Sequence, residues 1–355
     1  MKKNAPPAQS TSHDLEEMRA ALMNAEHAER TTRGLPGYHV LDLAEFPFAF
    51  ALDERAKFEA AASTPLDRVM AALSRRDYDE ANRLMGVYER EAPNVPQTKM
   101  RFGLAPEATA FALPKVQGGR PHGPSFFFVC DKNYFRLLCR PLLWSLAEHA
   151  PDLPVHLHIM DPDQDPTKLG LPLQITWSYE QSGELIMRHK FRPAFYYGAA
   201  RFIRFAEFLE QCDGPLVIAD VDSLATGDVK PLLASDSLAM RVRPGRLEPW
   251  NQYSACLVRG AKPSLPYFRR VADILRASMT QLWWGVDQYA LFSAALASQP
   301  DITLIGPDLA SVDANSPGLF WFTAGKAKTL LETSDSEYAK LFRRYQALNL
   351  RKSRA

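Results

Sequence analysis

The segment Ser125-Phe126-Phe127-Phe128-Val129-Cys130 constrains the fold more than any other stretch of this 355-residue chain. A short, continuous apolar run without polar alternation is the pattern of a strand covered on both faces, as in a parallel sheet. A helix follows, carrying Leu137, Leu138, Leu142, Leu143, Trp144 and Leu146, with Pro141 either kinking it or marking its true start. Val155-His156-Leu157-His158-Ile159-Met160 then reads as a strand by alternation, which assigns His156 and His158 to a polar face. Strand, helix and strand at these lengths make a βαβ unit, whose handedness leads to a parallel open sheet.

The same rhythm continues downstream. Residues 195–209 predict a helix with an aromatic face, closed by Asp213-Gly214-Pro215, and Leu216-Val217-Ile218-Ala219 a short buried strand. Further strands are expected at 237–242, 253–258 and, as the last, 302–305, with helices at 267–279 and 286–297. Ser334 and Glu337 suggest a capping box for a final helix whose apolar stripe is Tyr338, Leu341, Phe342 and Tyr345. The fold class is therefore α/β, a mixed and mostly parallel sheet flanked by helices. A chain that is 46% hydrophobic has the apolar material to bury such a core.

Composition divides the chain. Residues 1–12, rich in Pro, Ser and Thr, read as a disordered tail, and 13–117 as a helical extension. Within it, Val69, Met70 and Leu73, then Asp77-Tyr78-Asp79-Glu80-Ala81 with Leu84, Val87 and Tyr88, form a helical pair that resembles one tetratricopeptide-like hairpin. No second copy follows at a suitable period, so the pair reads as an appendage packed on the main body. The run Gly118-Gly119-Arg120-Pro121-His122-Gly123-Pro124 is a linker signal before the α/β domain at 125–330, and 331–355 forms the C-terminal helix.

The formal net charge of +1 gives no general attraction to nucleic acid or anionic membrane. The four cysteines, Cys130, Cys139, Cys212 and Cys256, show no zinc or disulfide spacing. No secretory leader pattern and no apolar run of about 18 residues is found, so no transmembrane segment and a cytoplasmic location are expected.

The chemistry concentrates at Leu216-Val217-Ile218-Ala219-Asp220-Val221-Asp222. A buried strand ending in two carboxylates puts them at the carboxyl edge of the sheet, where open α/β sheets bind ligands. Spacing of two on extended backbone sets both side chains on one side. Their mutual repulsion is relieved by a hard divalent ion, Mn2+ or Mg2+, that bridges to a diphosphate.

With its surroundings, this step resembles the glycosyltransferase family 8 group of GT-A enzymes. Tyr196-Tyr197 and Arg201-Phe202 precede the carboxylate strand, and Gly227-Asp228-Val229 with Leu232 follows it. Asp131-Lys132-Asn133-Tyr134, Tyr253 to Val258, Asp287-Gln288 and Phe322-Thr323-Ala324-Gly325-Lys326-Ala327-Lys328 are similar to further motifs of the group, in the same order. The resemblance implies a GT-A-like fold and a nucleotide sugar donor, usually a UDP-sugar, with retention of configuration. The acceptor, a glycan, lipid or protein, is left open. It implies that Asp220 and Asp222 hold the metal, with Asp220 also near the ribose, and that Asp131, Tyr134 and Arg201 contact the nucleotide. Asp287 and Gln288 would face the donor sugar, and Lys328 with the backbone at Gly325 would hold the diphosphate. Two positions depart from the pattern. The histidine that serves as third metal ligand falls at Phe322, and the Asn and Gly of the mid-sheet strand are Ser254 and Cys256.

Two other functions compete with transfer. Strand-Asp-Val-Asp is also similar to the haloacid dehalogenase phosphatase motif, in which the first Asp is the nucleophile, although Leu224 stands where that motif carries Thr or Val. A non-catalytic binding protein on the transferase fold would explain Phe322. Trp283 and Trp284 fit either core packing, the simpler reading, or stacking on a sugar ring.

Overall fold

The phenylalanine-rich run becomes β2 (Ser125–Asp131), an interior strand of the main sheet, with Phe126, Phe127 and Phe128 fully enclosed. A computed structural model describes residues 65–91, 101–103, 111–242, 253–279, 282–298, 300–306, 308–311, 317–323 and 331–352. The remaining strands are β1 (Gln117–Gly118), β3 (Pro154–Met160), β4 (Gln174–Glu180), β5 (Leu216–Ala219), β6 (Ser223–Ala225), β7 (Ala239–Val242), β8 (Tyr253–Gly260), β9 (Thr303–Ile305), β10 (Ala310–Ser311) and β11 (Phe320–Phe322). Eight of them form one sheet in the order β1-β4-β3-β2-β5-β8-β7-β9. The centre, β4-β3-β2-β5, is parallel, while β8 runs antiparallel to both β5 and β7. A second sheet of three strands, β10-β11-β6, follows from the end of β5. The α/β architecture with a mostly parallel centre is as the sequence predicts.

The chain divides into two compact units, Met1–Phe102 with Pro244–Gln252, and Gly103–Arg243 with Tyr253–Ala355. In the first, α1 (Pro65–Ser74) and α2 (Tyr78–Glu91) form the expected hairpin, burying Val69, Ala72, Leu73, Ala81, Leu84 and Met85. Asp77 Oδ1 accepts from the Glu80 amide at 3.1 Å and caps the second helix.

In the second unit, the helix after β2 begins at once: Lys132–Tyr134 is its first turn, capped by Asp131, and Phe135–Cys139 is wound as a π-turn before α3 (Arg140–His149). Pro141 falls just after the π-turn, inside a continuous helical stretch, and does not mark its start. Then come α4 (Gly183–His189), α5 (Pro193–Leu209), α6 (Leu265–Ser278), α7 (Val286–Ser298) and α8 (Glu337–Lys352). The aromatic face of α5 lies on the sheet through Phe205 and Phe208, whose rings meet Phe127 at 5.9 and 5.4 Å. Tyr338, Phe342 and Tyr345 of α8 pack with Trp321 and Leu224 into a smaller core over the minor sheet. Its cap is Ser336, whose Oγ accepts from the Ala339 amide at 3.3 Å, rather than Ser334, which accepts from the Ser336 amide instead. Ile302–Ile305 is not the final strand either, since β10 and β11 follow.

The polar face expected for β3 does not exist. His156 and His158 are both fully buried, because α5 covers that side of the sheet. Thr176 Oγ1 lies 2.8 Å from His156 Nδ1, and Ser178 Oγ lies 2.9 Å from His156 Nε2 and 2.8 Å from His158 Nδ1. Beyond them Glu180, also fully buried, accepts from Tyr196 Oη at 3.1 Å and Arg204 Nε at 2.7 Å. Burial first, and then the neighbouring His158 and His122, pushes His156 down to about 3. The cysteines are all free, three of them buried. No described helix is long and apolar enough to cross a membrane.

Candidate functional site

The topology itself marks a crevice. From β2 the chain proceeds to one side, through β3 and β4, and then returns to the other flank of β2 as β5. Both neighbours of β2 are parallel to it, so the carboxyl ends of β2 and β5 flank the point where the strand order reverses. Ligands of open α/β sheets bind at such a point because the diverging connections leave a gap there. Asp131 ends β2 and Asp220 directly follows β5. Two of the residues singled out from sequence thus stand on the two lips of one crevice.

Asp131 is held by its own turn, Oδ1 accepting from the Tyr134 amide at 2.7 Å. The Tyr134 side chain is 41% exposed. Across from them α5 presents Tyr197 and, one turn on, Arg201. Burial, followed by the Asp131 and Asp161 carboxylates, pushes the Tyr197 hydroxyl up to about 12, so it stays protonated and can donate.

Arg201 joins the two carboxylates that matter most. Its Nη1 donates to Asp220 Oδ1, and its Nη2 donates to Asp287 Oδ2 at 2.6 Å. Burial disfavours the guanidinium charge, yet the two carboxylates outweigh it and hold Arg201 above its usual range. Asp287 sits in the first turn of α7, its Oδ1 accepting from the Gln288 amide at 2.8 Å. Arg201 Nε is buried without a partner, a spare donor beside the bridge. The bridge therefore brings α5, α7 and the end of β5 to one place.

The Asp220 to Asp222 step is not a continuation of the strand. Residues 221 and 222 form a turn between β5 and β6, and Ser223 Oγ closes it by donating to the Asp220 carbonyl at 2.6 Å. The simple rule that alternate residues share a side of extended backbone fails there. Asp220 keeps 29% of its side chain exposed, while Asp222 is buried at 3%. The turn is pinned from outside by Tyr338 of α8, whose hydroxyl donates to the Asp222 carbonyl at 2.8 Å. The Thr323 amide donates to the same oxygen at 3.2 Å.

Phe322 pairs across β11 and β6 with Ser223, next to Asp222, so the place of the missing histidine does adjoin the carboxylates. It is filled by a buried ring that belongs to the apolar core. Among the described residues no three His, Cys, Asp or Glu side chains converge on one point. A hard cation held here by Asp220 and Asp222 would need phosphate and water to complete its coordination, as Mg2+ held by one or two carboxylates commonly does. The two carboxylates do not make a closed protein cage. Gly325 and Lys328 lie outside the described residues.

Sequence reasoning gave no site role to Tyr197, quoted only within a motif, or to Tyr338, read as part of an apolar stripe. The spacing of four between Tyr197 and Arg201 on one helix was a usable signal. Nothing local could have paired Tyr338 with Asp222, 116 residues away.

No protein-family model matches the chain, and no curated protein matches it. Solved structures similar to it include glycosyltransferases. They include the bifunctional glycosyltransferase WbbM in its apo form (TM-score 0.47, 11% identity, covering 65% of this chain and 50% of that one). GlyE of Streptococcus pneumoniae TIGR4 matches with TM-score 0.45 and 14% identity, over 66% of this chain and 63% of its own. The galactosyltransferase LgtC, in complex with donor and acceptor sugar analogues, matches with TM-score 0.47 and 15% identity, over 63% of this chain and 95% of its own. The similarity thus spans about half of WbbM and under two thirds of GlyE.

Proposed function

We propose that this chain is a glycosyltransferase that takes a sugar from a nucleotide diphosphate donor, with a UDP-sugar favoured, in the crevice between β2 and β5. The reading is carried by the bridge at the switch point, where Arg201 ties Asp220 at the end of β5 to Asp287 at the start of α7. A phosphatase would need Asp220 as its nucleophile, and here that carboxylate is bonded to a guanidinium instead.

In this reading Asp131, Tyr134 and Tyr197 line the nucleotide end. Asp287, Gln288 and Arg201 meet the donor sugar, their carboxylate, amide and guanidinium groups being suited to ring hydroxyls. The sequence resemblance alone assigns Lys328 and the Gly325 backbone to the diphosphate. Asp220 and Asp222 would hold Mn2+ or Mg2+, which neutralises charge on the departing diphosphate when bound. The anomeric carbon gains a bond to the acceptor oxygen and loses its bond to the phosphate oxygen. The electron pair and the acceptor proton leave with the nucleoside diphosphate, and configuration is retained.

Phe322 supports one further reading, donor binding without turnover, because it removes a metal ligand and leaves the carboxylates in place. Both readings are tested by thermal unfolding with a panel of nucleotide sugars and Mn2+, Mg2+ or chelator, in wild type and Asp222→Asn. A ligand at about 100 times its dissociation constant stabilises by about 2.7 kcal/mol. Stabilisation by a UDP-sugar that needs metal and is lost in Asp222→Asn supports the donor site. Release of UDP then separates turnover from binding alone. No response to any nucleotide sugar overturns both.

A further inference from the structure

Beside the proposed donor crevice the molecule carries an aromatic corner that packing does not explain. Trp284 is 70% exposed, so the reading that made it core is corrected, whereas Trp283 is partly buried and meets Tyr289 at 5.6 Å. An indole left this open forgoes most of the burial that normally retains the residue. Its position is nevertheless fixed. Trp284 and Gly285 form the turn that leads into α7, and Gly285 has φ of 89°, a conformation only glycine adopts without strain. Its carbonyl accepts from the Tyr289 amide at 3.1 Å, which ties the turn to the helix. One short turn therefore sends Trp284 outward and, three residues later, Asp287 inward to Arg201.

The second wall of the corner is Phe195 in the first turn of α5. Its ring centre lies 6.3 Å from that of Trp284 at an interplanar angle of 54°, and Arg192 covers it at 5.5 Å. Phe195, Gly198 and Arg201 follow at spacings of three on α5, each about 60° further round the helix. Six residues at ~1.5 Å each separate the aromatic corner from the bridge by about 9 Å along the helix. Gly198 lies between them, and a Cβ there would stand 3.8 Å from Asp287 Oδ2. The aromatic rings thus stand toward one end of α5 and the carboxylate bonded to a guanidinium toward the other. The helix runs back toward β5, so the aromatic end lies outward of the sheet edge that carries Asp220.

We infer that Phe195 and Trp284 form the platform for the acceptor, and that the acceptor presents a pyranose ring. This rests on the transferase reading above. The axial C–H groups of a sugar ring pack on an aromatic face, whose π-electrons carry the negative end of the quadrupole. Its hydroxyls require carboxylate, amide or guanidinium partners, and Asp287 with Arg201 lies inward of the rings, about 9 Å along α5 from Phe195. An exposed indole held beside polar groups suits a ring with one apolar face and a hydroxylated rim better than a lipid tail or a peptide. The donor then approaches from the crevice, the acceptor from the aromatic corner, and the two meet at the Arg201–Asp287 bridge.

The test is tryptophan fluorescence during titration with simple glycans (lactose, maltose, cellobiose and their longer oligomers) in the absence of nucleotide. Variants are Trp284→Ala, Trp284→Phe and the control Met187→Ala, whose residue is equally exposed at 72%, on α4. At least one glycan should quench wild type and Met187→Ala but leave the spectrum of Trp284→Phe unchanged. By calorimetry that glycan should bind Trp284→Ala about tenfold more weakly, the loss expected for one aromatic contact, with Trp284→Phe intermediate. Equal glycan affinity in Trp284→Ala, or no glycan response while a nucleotide sugar stabilises the wild type, overturns the platform. Glycan binding through Trp284 with no response to any nucleotide sugar keeps the platform as a carbohydrate site and removes the transferase reading instead.

Discussion

Replacing Arg201 by methionine removes the cation from between two carboxylates and keeps most of the side-chain volume. The side chains of Arg201, Asp220 and Asp287 are 16%, 29% and 10% exposed, so the bridge is mostly but not wholly withdrawn from water. Removing one partner of a buried pair costs about 3–5 kcal/mol, because a charge is left without compensation. The exposure of Asp220 allows water to recover part of that, which puts the expected loss near the lower end, about 3 kcal/mol. For a unit of this size each kcal/mol lowers the melting temperature by about 2–4 °C, so a fall of roughly 6–12 °C is expected in calorimetry. Asp287→Asn alone should cost less, since an amide still accepts from the guanidinium. In the double variant the loss should fall short of the sum of the single losses by about 1 kcal/mol or more, the coupling of groups in contact. Stability of Arg201→Met within about 0.5 kcal/mol of wild type, or strict additivity with Asp287→Asn, would refute the bridge.

Three further outcomes follow from the packing. His156 is pushed down to about 3 from 6.5, so the unfolded chain binds the extra proton in that window and stability declines as pH falls below 6.5. By pH 5 the deficit amounts to about 2 kcal/mol, and it should shrink in His156→Gln when urea unfolding is compared at pH 7 and pH 5. Tyr338→Phe deletes the donor to the Asp222 carbonyl and should cost about 1–2 kcal/mol. Its effect as a positioning residue is read as weaker metal-dependent nucleotide-sugar affinity, beyond what a Tyr345→Phe control loses. In Gly260→Ala the new methyl would lie 2.3 Å from Phe268 Cε2, so α6 must shift from β8 at a cost of about 1–3 kcal/mol. Phe268→Leu in the same background should recover part of the loss in thermal unfolding.

The parts of the fold that were legible in sequence are those where one local pattern suffices. Ser125 to Cys130 is apolar on both sides because the sheet is covered on both faces there, and α5 has an aromatic stripe because it lies on that sheet. The strand Gln174–Glu180 escaped the reading because its Thr176, Ser178 and Glu180 are polar. Ser178 and Glu180 are buried and Thr176 partly so, to serve His156, His158 and Arg204, a requirement set by side chains some 20 residues away. The same long-range pairing hid the interior placement of the two histidines. Asp131, Arg201, Asp220 and Asp287 were picked out through their motifs. Their assembly was not legible, because the bridge joins positions 86 residues apart and depends on the order of strands. Trp284 was misread because a tryptophan's composition says nothing about which way a glycine turn will throw it.

The most direct test of the central claim is a crystal structure of the chain with a UDP-sugar and Mn2+ at saturating concentrations. The account predicts density for the nucleotide between Asp131 and Tyr197, with the diphosphate over the Asp220–Asp222 turn and the sugar against Arg201 and Asp287. A nucleotide sugar bound elsewhere on the molecule, or an unchanged bridge with the crevice empty at saturation, would contradict it.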